Sequence, residues 1–203
     1  GLFEQMADWY LRLKKDFNKD MILSPTIMRR ESGRPQSQWV TGFNFLVPKY
    51  KYTFMGAESW QLVKMVGGNS LWWPRELFEQ FLFDLRFKRS YEDMDFSYRV
   101  SQSGYPVIVL NKVEIQHMES PRNFLGSRLM WNPESAYERA RNRIWFAKKN
   151  ASWWQKLQYF CIGVWWQTLR FFWLILKHGG KDRVALLRAV WLGTIDGIAS
   201  NQE

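Results

Sequence analysis

The amino-acid sequence predicts an α/β domain followed by an α-helical tail. Short apolar runs, above all Met21 to Met28 and Tyr105 to Leu110, read as strands, and segments of helical character separate them. Beyond about residue 121 the strand signals stop and Trp-rich helical stretches take over. Charge divides at the same place. Residues 1–121 carry 16 Lys and Arg against 14 Asp and Glu, a net of +2, whereas residues 122–203 carry 13 against 5, a net of +8. The expected organisation is an α/β part over 1–121 and a basic helical part over 122–203. At 203 residues the chain suffices for one or two domains with real cores.

Each element has a local reason. Met21 to Met28 is a strand broken at Pro25, and Ser32-Gly33-Arg34-Pro35-Gln36-Ser37 is a loop. Gly67 and Gly68 allow a sharp turn or the close approach of a ligand. Leu71 to Trp73 is a short apolar strand, and Pro74 suits the first position of the helix after it. A second helix begins within Ser90-Tyr91-Glu92-Asp93-Met94-Asp95-Phe96-Ser97-Tyr98-Arg99 and runs to about Ser103. Gly104 stops it and Pro106 blocks continuation. Phe96 and Val100 share a face at i, i+4, and Asp95 pairs with Arg99 at the same spacing. Three carboxylates fall in four positions at its first turn. Attraction to the positive end of a helix accounts for one or two of them and less well for three. Tyr105 to Leu110 then forms a buried strand, and Val113, Ile115 and His117 alternate as a second one.

These motifs stand in a fixed order: Gly67 to Phe78, then Glu92-Asp93-x-Asp95-Phe96-x-x-Arg99, then Gly104-Tyr105-Pro106. A strand ending His117-Met118 follows, and then Ala140-Arg141-Asn142-Arg143-Ile144 in a helix. In this combination the chain resembles glycosyltransferase family 2 over roughly residues 20 to 150. These are GT-A fold enzymes that use nucleotide-activated sugars. The Trp72-Trp73 pair and the His-Met ending look closest to bacterial lipid-linked rhamnosyl- and galactofuranosyltransferases. The resemblance implies Asp93 as general base, with Glu92 orienting acceptor or base. It places Gly67, Gly68, Trp72, Trp73 and Asp95 on the acceptor side. His117 would complete a site for Mg²⁺ or Mn²⁺, and Arg141 or Arg143 would meet a donor or lipid phosphate. Family members carry an N-terminal nucleotide-binding half that ends in Asp-x-Asp, and no such half is found in this sequence. Asp16-Phe17-Asn18-Lys19-Asp20 has the wrong spacing and reads as a solvated helix end. The expectation is thus an incomplete GT-A fold that does not turn over substrate by itself.

The chemistry asks for these residue types. A carboxylate within reach of an acceptor hydroxyl removes its proton as the glycosidic bond forms. A divalent cation stabilises the charge that develops on the leaving diphosphate. Glu92 and Asp95 would raise the pKa of Asp93 by like-charge repulsion, and the helix N-terminus would oppose them. Plainer readings exist for the rest. A lone histidine in strand register is more often a core residue, and alternation points only one of Trp72 and Trp73 into a site. Arg141 and Arg143, two apart on a helix, cannot both aim at one phosphate.

The tail carries eight of the thirteen tryptophans, a composition suited to a membrane interface. Only 13 uncharged residues separate Lys156 from Arg170, too few for a single pass, which needs about 20. Lys156, Gly163, Gln167, Arg170 and Lys177 instead recur as one narrow polar stripe. That fits a helix lying in an anionic bilayer surface. His178-Gly179-Gly180 is the turn to a second amphipathic stretch, Lys181 to Ile195, with Val184, Leu187, Trp191 and Ile195 on one side. A soluble hairpin packed on the catalytic domain is the alternative. The single Cys161 permits no intrachain disulfide and is expected to pack inside its helix.

The leading expectation is an inverting glycosyltransferase of cell-surface polysaccharide synthesis. It would move a sugar from a nucleotide-sugar donor to a polyprenyl- or lipid-linked glycan at the cytoplasmic face of the plasma membrane. The second is a non-enzymatic membrane-surface or partner-binding module. Nucleic-acid binding, suggested by the net charge of +10, is disfavoured because the basic excess sits on a strongly apolar tail.

Overall fold

The computed structural model describes all residues except 31, 37, 38, 68, 69, 89, 118–131 and 201–203. It is mixed α/β, and the chain divides into two compact units. One comprises Gly1–Phe43, Tyr50–Asp84 and Asp93–Ser120; the other comprises Asn44–Lys49, Leu85–Glu92 and Pro121–Glu203. The two short segments counted with the helical unit have no counterpart in the division read from the sequence.

In the sheet unit, β1 (Ile22–Arg29) pairs parallel with β5 (Val107–His117), and β4 (Trp60–Val63) pairs antiparallel on the other side of β5. The strands β2 (Val40–Asn44) and β3 (Lys49–Tyr52) form a separate two-stranded sheet. Both faces of the β1–β5 pair are covered, so both strands are continuously buried over their first halves, Ser24 and Thr26 included. Leu23, Ile108 and Leu110 pack with Met6 and Leu13 of α1 (Leu2–Phe17). Ile22, Val107 and Val109 point the other way, against Leu77 of α2 (Arg75–Phe81) and Phe96 and Val100 of α3 (Glu92–Gln102).

Four expectations about this region are corrected. Pro25 does not break β1. The strand runs through it with a register shift between Pro25 and Thr26, where the Thr26 hydroxyl donates to the Leu110 carbonyl at 2.9 Å. Val107 to His117 is one strand instead of two. Leu71 to Trp73 is no strand but a single bridge, with Leu23 and Trp72 exchanging two 2.8 Å hydrogen bonds. Pro74 sits at the N-cap of α2, one place earlier than expected. Gly104, at φ 83, ends α3 as expected.

The helical unit is built on α4 (Pro133–Asn150), α5 (Trp153–Gln158), α6 (Val164–His178) and α7 (Arg183–Ala199). Asn132 caps α4 by accepting from the Ser135 N–H, and Pro133 occupies its first turn. A capping box of Ser152 and Gln155 starts α5. A π turn, Tyr159–Gly163, joins α5 to α6 without a break. The helix Trp153–His178 is 26 residues and passes, by length and composition, as able to cross a membrane, so the expectation that it is too short is corrected. The α6–α7 turn falls at Gly179 and Gly180, as expected.

The tight joint is between α4 and α7. A Cβ on Gly193 would stand 2.2 Å from the Tyr137 carbonyl oxygen, and one on Gly197 would stand 2.9 Å from Ile144 Cδ1. The Gly-x-x-x-Gly spacing therefore lets two helix backbones touch, a device common where helices pack in lipid.

Candidate functional site

Local geometry at the acidic turn begins with strain. Tyr91, just before α3, has φ 74, a left-handed conformation that a bulky residue rarely adopts. Two contacts hold the approach to it. Its ring lies 5.6 Å from that of Phe146, and the Asn142 amide donates to the Lys88 carbonyl at 2.9 Å and the Ser90 carbonyl at 3.0 Å. Asn142 is fully buried. The chain is thus clamped just before it turns into Glu92.

Asp93 is half-buried in the first turn of α3. Its Oδ1 accepts the Met94 N–H at 2.7 Å, and its carbonyl accepts the Ser97 hydroxyl at 2.8 Å. Oδ2 points at Gly67, where an added Cβ would lie 3.7 Å away. Ser97 Oγ also accepts the Val66 N–H at 3.1 Å, fixing the glycine segment beside the turn. The structure therefore brings Gly67 to Asp93, as the motif order suggested. Gly68 lies outside the described residues, as does Met118.

Asp95 has a different task. It is fully buried and takes the Arg99 Nε at 2.8 Å, while the other two guanidinium nitrogens donate to the Phe81 and Leu82 carbonyls, each at 2.7 Å. The predicted pair with Arg99 is present, but Asp95 offers no surface to an acceptor. That part of the expectation is corrected. Arg99 also offsets the negative charge that Asp95 was expected to set against Asp93.

The tryptophans alternate. Trp73 packs 5.3 Å from Phe96 of α3, among Phe78 and Phe83, while Trp72 packs on the α1 side, 6.1 Å from Phe3. Only Trp73 is on the face that carries α3. Neither is fully buried.

His117 ends β5 opposite Arg29, at the carboxyl ends of the two parallel strands, where open α/β sheets commonly bind ligands. Its Nδ1 lies 3.2 Å from Gln36 Nε2. With the amide donating, Nε2 of the ring carries the proton and cannot ligate; with the amide reversed, it can. No group of three His, Cys, Asp or Glu poised for a metal occurs among the described residues. His117 by itself does not make a Mg²⁺ or Mn²⁺ site.

The two arginines separate. Arg141 is half-buried, stacked 4.2 Å over Trp145 and 5.3 Å from Tyr137. Arg143 is 0% exposed, donating to Thr168 at 2.6 Å, Thr194 at 3.1 Å and the Ala140 carbonyl at 3.2 Å. Burial lowers its pKa. Arg143 holds nothing toward solvent for a phosphate, so that assignment is corrected; Arg141 alone keeps a surface. The residue between them, Asn142, is the one tied to the acidic turn, and sequence reasoning passed over it.

A cleft of about 520 Å³ opens elsewhere in the sheet unit, lined by Lys19, Leu62, Lys64, Ser101, Gly104 and Tyr105. It adjoins the carboxyl end of α3, so volume and candidate chemistry lie at opposite ends of that helix. In comparisons with known proteins, no family model matches the chain and no curated protein matches it.

Proposed function

We propose that this chain is the acceptor-side part of an inverting, GT-A type glycosyltransferase that uses Asp93 as general base. One observation carries the reading. A strained, clamped turn presents Asp93 at a helix start with its Oδ2 against Gly67, where the missing side chain leaves room beside the carboxylate. In this proposal the carboxylate takes the proton of an acceptor hydroxyl as that oxygen attacks the anomeric carbon. The bond from that carbon to the nucleoside diphosphate breaks on the opposite side. Glu92 helps to orient the acceptor, and Trp73 lines its approach. The acceptor is a lipid-linked glycan at an anionic membrane surface, on the cytoplasmic side.

A sugar-transfer assay on the full-length protein, with a panel of nucleotide sugars, membrane lipid extract and Mn²⁺, tests the reading. Asp93→Asn should lower transfer by about 10²–10⁴-fold with the fold retained. Equal activity in both would remove Asp93 as base. A second reading, a non-enzymatic membrane-surface or partner-binding module, draws on Asp93 Oδ1, which serves the helix start by accepting from Met94. Absence of transfer with every donor would favour it.

A further inference from the structure

The helical unit buries several polar groups within an apolar core and exposes a broad apolar face. α6 turns Val164, Gln167, Thr168, Phe171 and Ile175 inward, and Thr168 there meets buried Arg143 and Thr194. The predicted polar stripe is therefore split, since Gly163 and Gln167 are buried while Arg170 and Lys177 are exposed. What α6 turns outward is Trp165, Trp166, Leu169, Trp173 and Leu176, with Leu169 64% and Trp173 58% exposed. Trp191, Leu192 and Ile195 extend the apolar exterior onto α7. Cys161, expected to pack, is exposed as well.

The outward face is graded. Seven residues bring an α-helix back to within about 20° of the same direction. Leu169 and Leu176 thus form one stripe along the axis, Trp166 and Trp173 the next, and Arg170 and Lys177 the third. Successive residues turn by about 100°, so the order around the circumference is aliphatic, indole, cation. Lys177 Nζ sits 5.1 Å over the Trp173 ring, at the seam of the second and third stripes. Hydrocarbon, interface and anionic headgroup follow in that order across a bilayer boundary. A spanning helix would show this sequence along its length, with Arg170 at an end. Here Arg170 is near the middle of α6 and the gradient runs across the axis.

We propose that α6 lies parallel to the membrane plane, with its Leu169–Leu176 edge in the acyl region, its tryptophans at the boundary, and Arg170 and Lys177 on anionic headgroups. This deepens the membrane element of the function proposed above and rests on it, but not on sugar transfer. A second copy or another protein segment covering the same face is the competing occupant.

The test uses the full chain labelled at Cys161 with an environment-sensitive fluorophore. Vesicles are of phosphatidylcholine with a minority of phosphatidylglycerol. Binding should survive molar salt in part, and Leu169→Asp should weaken it by about tenfold or more at unchanged circular dichroism. Arg170→Gln with Lys177→Gln should weaken binding at low salt and change it little at high salt. Cys161 is the ninth of the 26 residues of the Trp153–His178 helix, about 12 Å from its start, so a span would carry the label deep into the acyl region. Stronger quenching by a shallow spin-labelled lipid than by a deep one is expected, and the reverse overturns the in-plane arrangement. Complete release by salt, or wild-type binding by Leu169→Asp, overturns the proposal. So does a lipid-indifferent dimer that Leu169→Asp dissociates. No sugar donor enters these readouts, so their failure is distinct from failure of the glycosyltransferase reading.

Discussion

In the sheet unit, β1 and β5 bury Ile22, Leu23, Ile108 and Leu110, and the charged Asp95 inside that unit has Arg99 beside it. In the helical unit, α4 buries two charged side chains, Glu138 and Arg143, the latter bonded to two hydroxyls and a carbonyl, while tryptophans and leucines occupy much of the outside. The first arrangement is what water imposes: apolar surface withdrawn, buried charge paired. The second mixes an apolar core with buried polar groups, and it joins α4 to α7 by close packing at Gly193 and Gly197. Were α6 seated in a bilayer as proposed, the medium outside that face would be as apolar as the core, and such close packing would stand in for the hydrophobic drive.

The contrast breaks most forcefully at Gly193. Gly193→Ala sets a Cβ 2.2 Å from the Tyr137 carbonyl oxygen and should cost about 3 kcal/mol or more, read from chemical denaturation. Gly42→Ala in the sheet unit, whose Cβ would find only Lys51 Cδ at 3.8 Å, should leave the midpoint nearly unchanged. Equal effects would mean that α4 and α7 are not in backbone contact.

One substitution made in both units sharpens the comparison. Arg99→Met removes the guanidinium from a fully buried carboxylate and should destabilise by about 3 kcal/mol. Arg143→Met strands no charge, because Thr168 and Thr194 still donate to the Val164 and Val190 carbonyls. Its expected effect lies between none and a gain of about 2 kcal/mol. Thermal melts of the two variants should move in opposite directions or differ widely. A large loss from Arg143→Met would reveal an anionic partner for that side chain.

The smallest effect is electrostatic and lies at the surface of the sheet unit. Asp20 is held below its ordinary pKa by hydrogen bonds from Lys14 and then Tyr10. A depressed folded pKa stabilises above the unfolded value of about 3.9 and loses that contribution as pH falls through the folded one. The pair is partly solvent-exposed, so Asp20→Asn should cost only about 0.5 kcal/mol at neutral pH. The difference from wild type should vanish in denaturation series carried below pH of about 3.5.

Sequence reasoning reached what is local. The limits of α3, the Asp95–Arg99 pair, the glycine stop at Gly104 and the turn at Gly179-Gly180 all follow from residues within a few positions of one another. It missed β2, β3 and β4, whose residues alternate weakly and leave much surface exposed. It also missed the fate of Arg143, whose partners Thr168 and Thr194 lie 25 and 51 positions away. An arginine read in isolation is a surface residue; only the folded helices make it a core one. The extra residue of the π turn escaped for a related reason, since a fixed period of 3.6 carries no signal of a local rewinding.

Asn142 ties distant parts of the helical unit together. A single amide on α4 holds the two carbonyls that precede the left-handed Tyr91, so this short backbone stretch inherits its position from α4 and not from its neighbours in sequence. Whatever displaces α4, such as a bulkier residue at Gly193, reaches Ser90 in one hydrogen bond. Without that amide the backbone at Tyr91 would be free to leave the left-handed region, so the strain at one residue is kept by a side chain far along the chain.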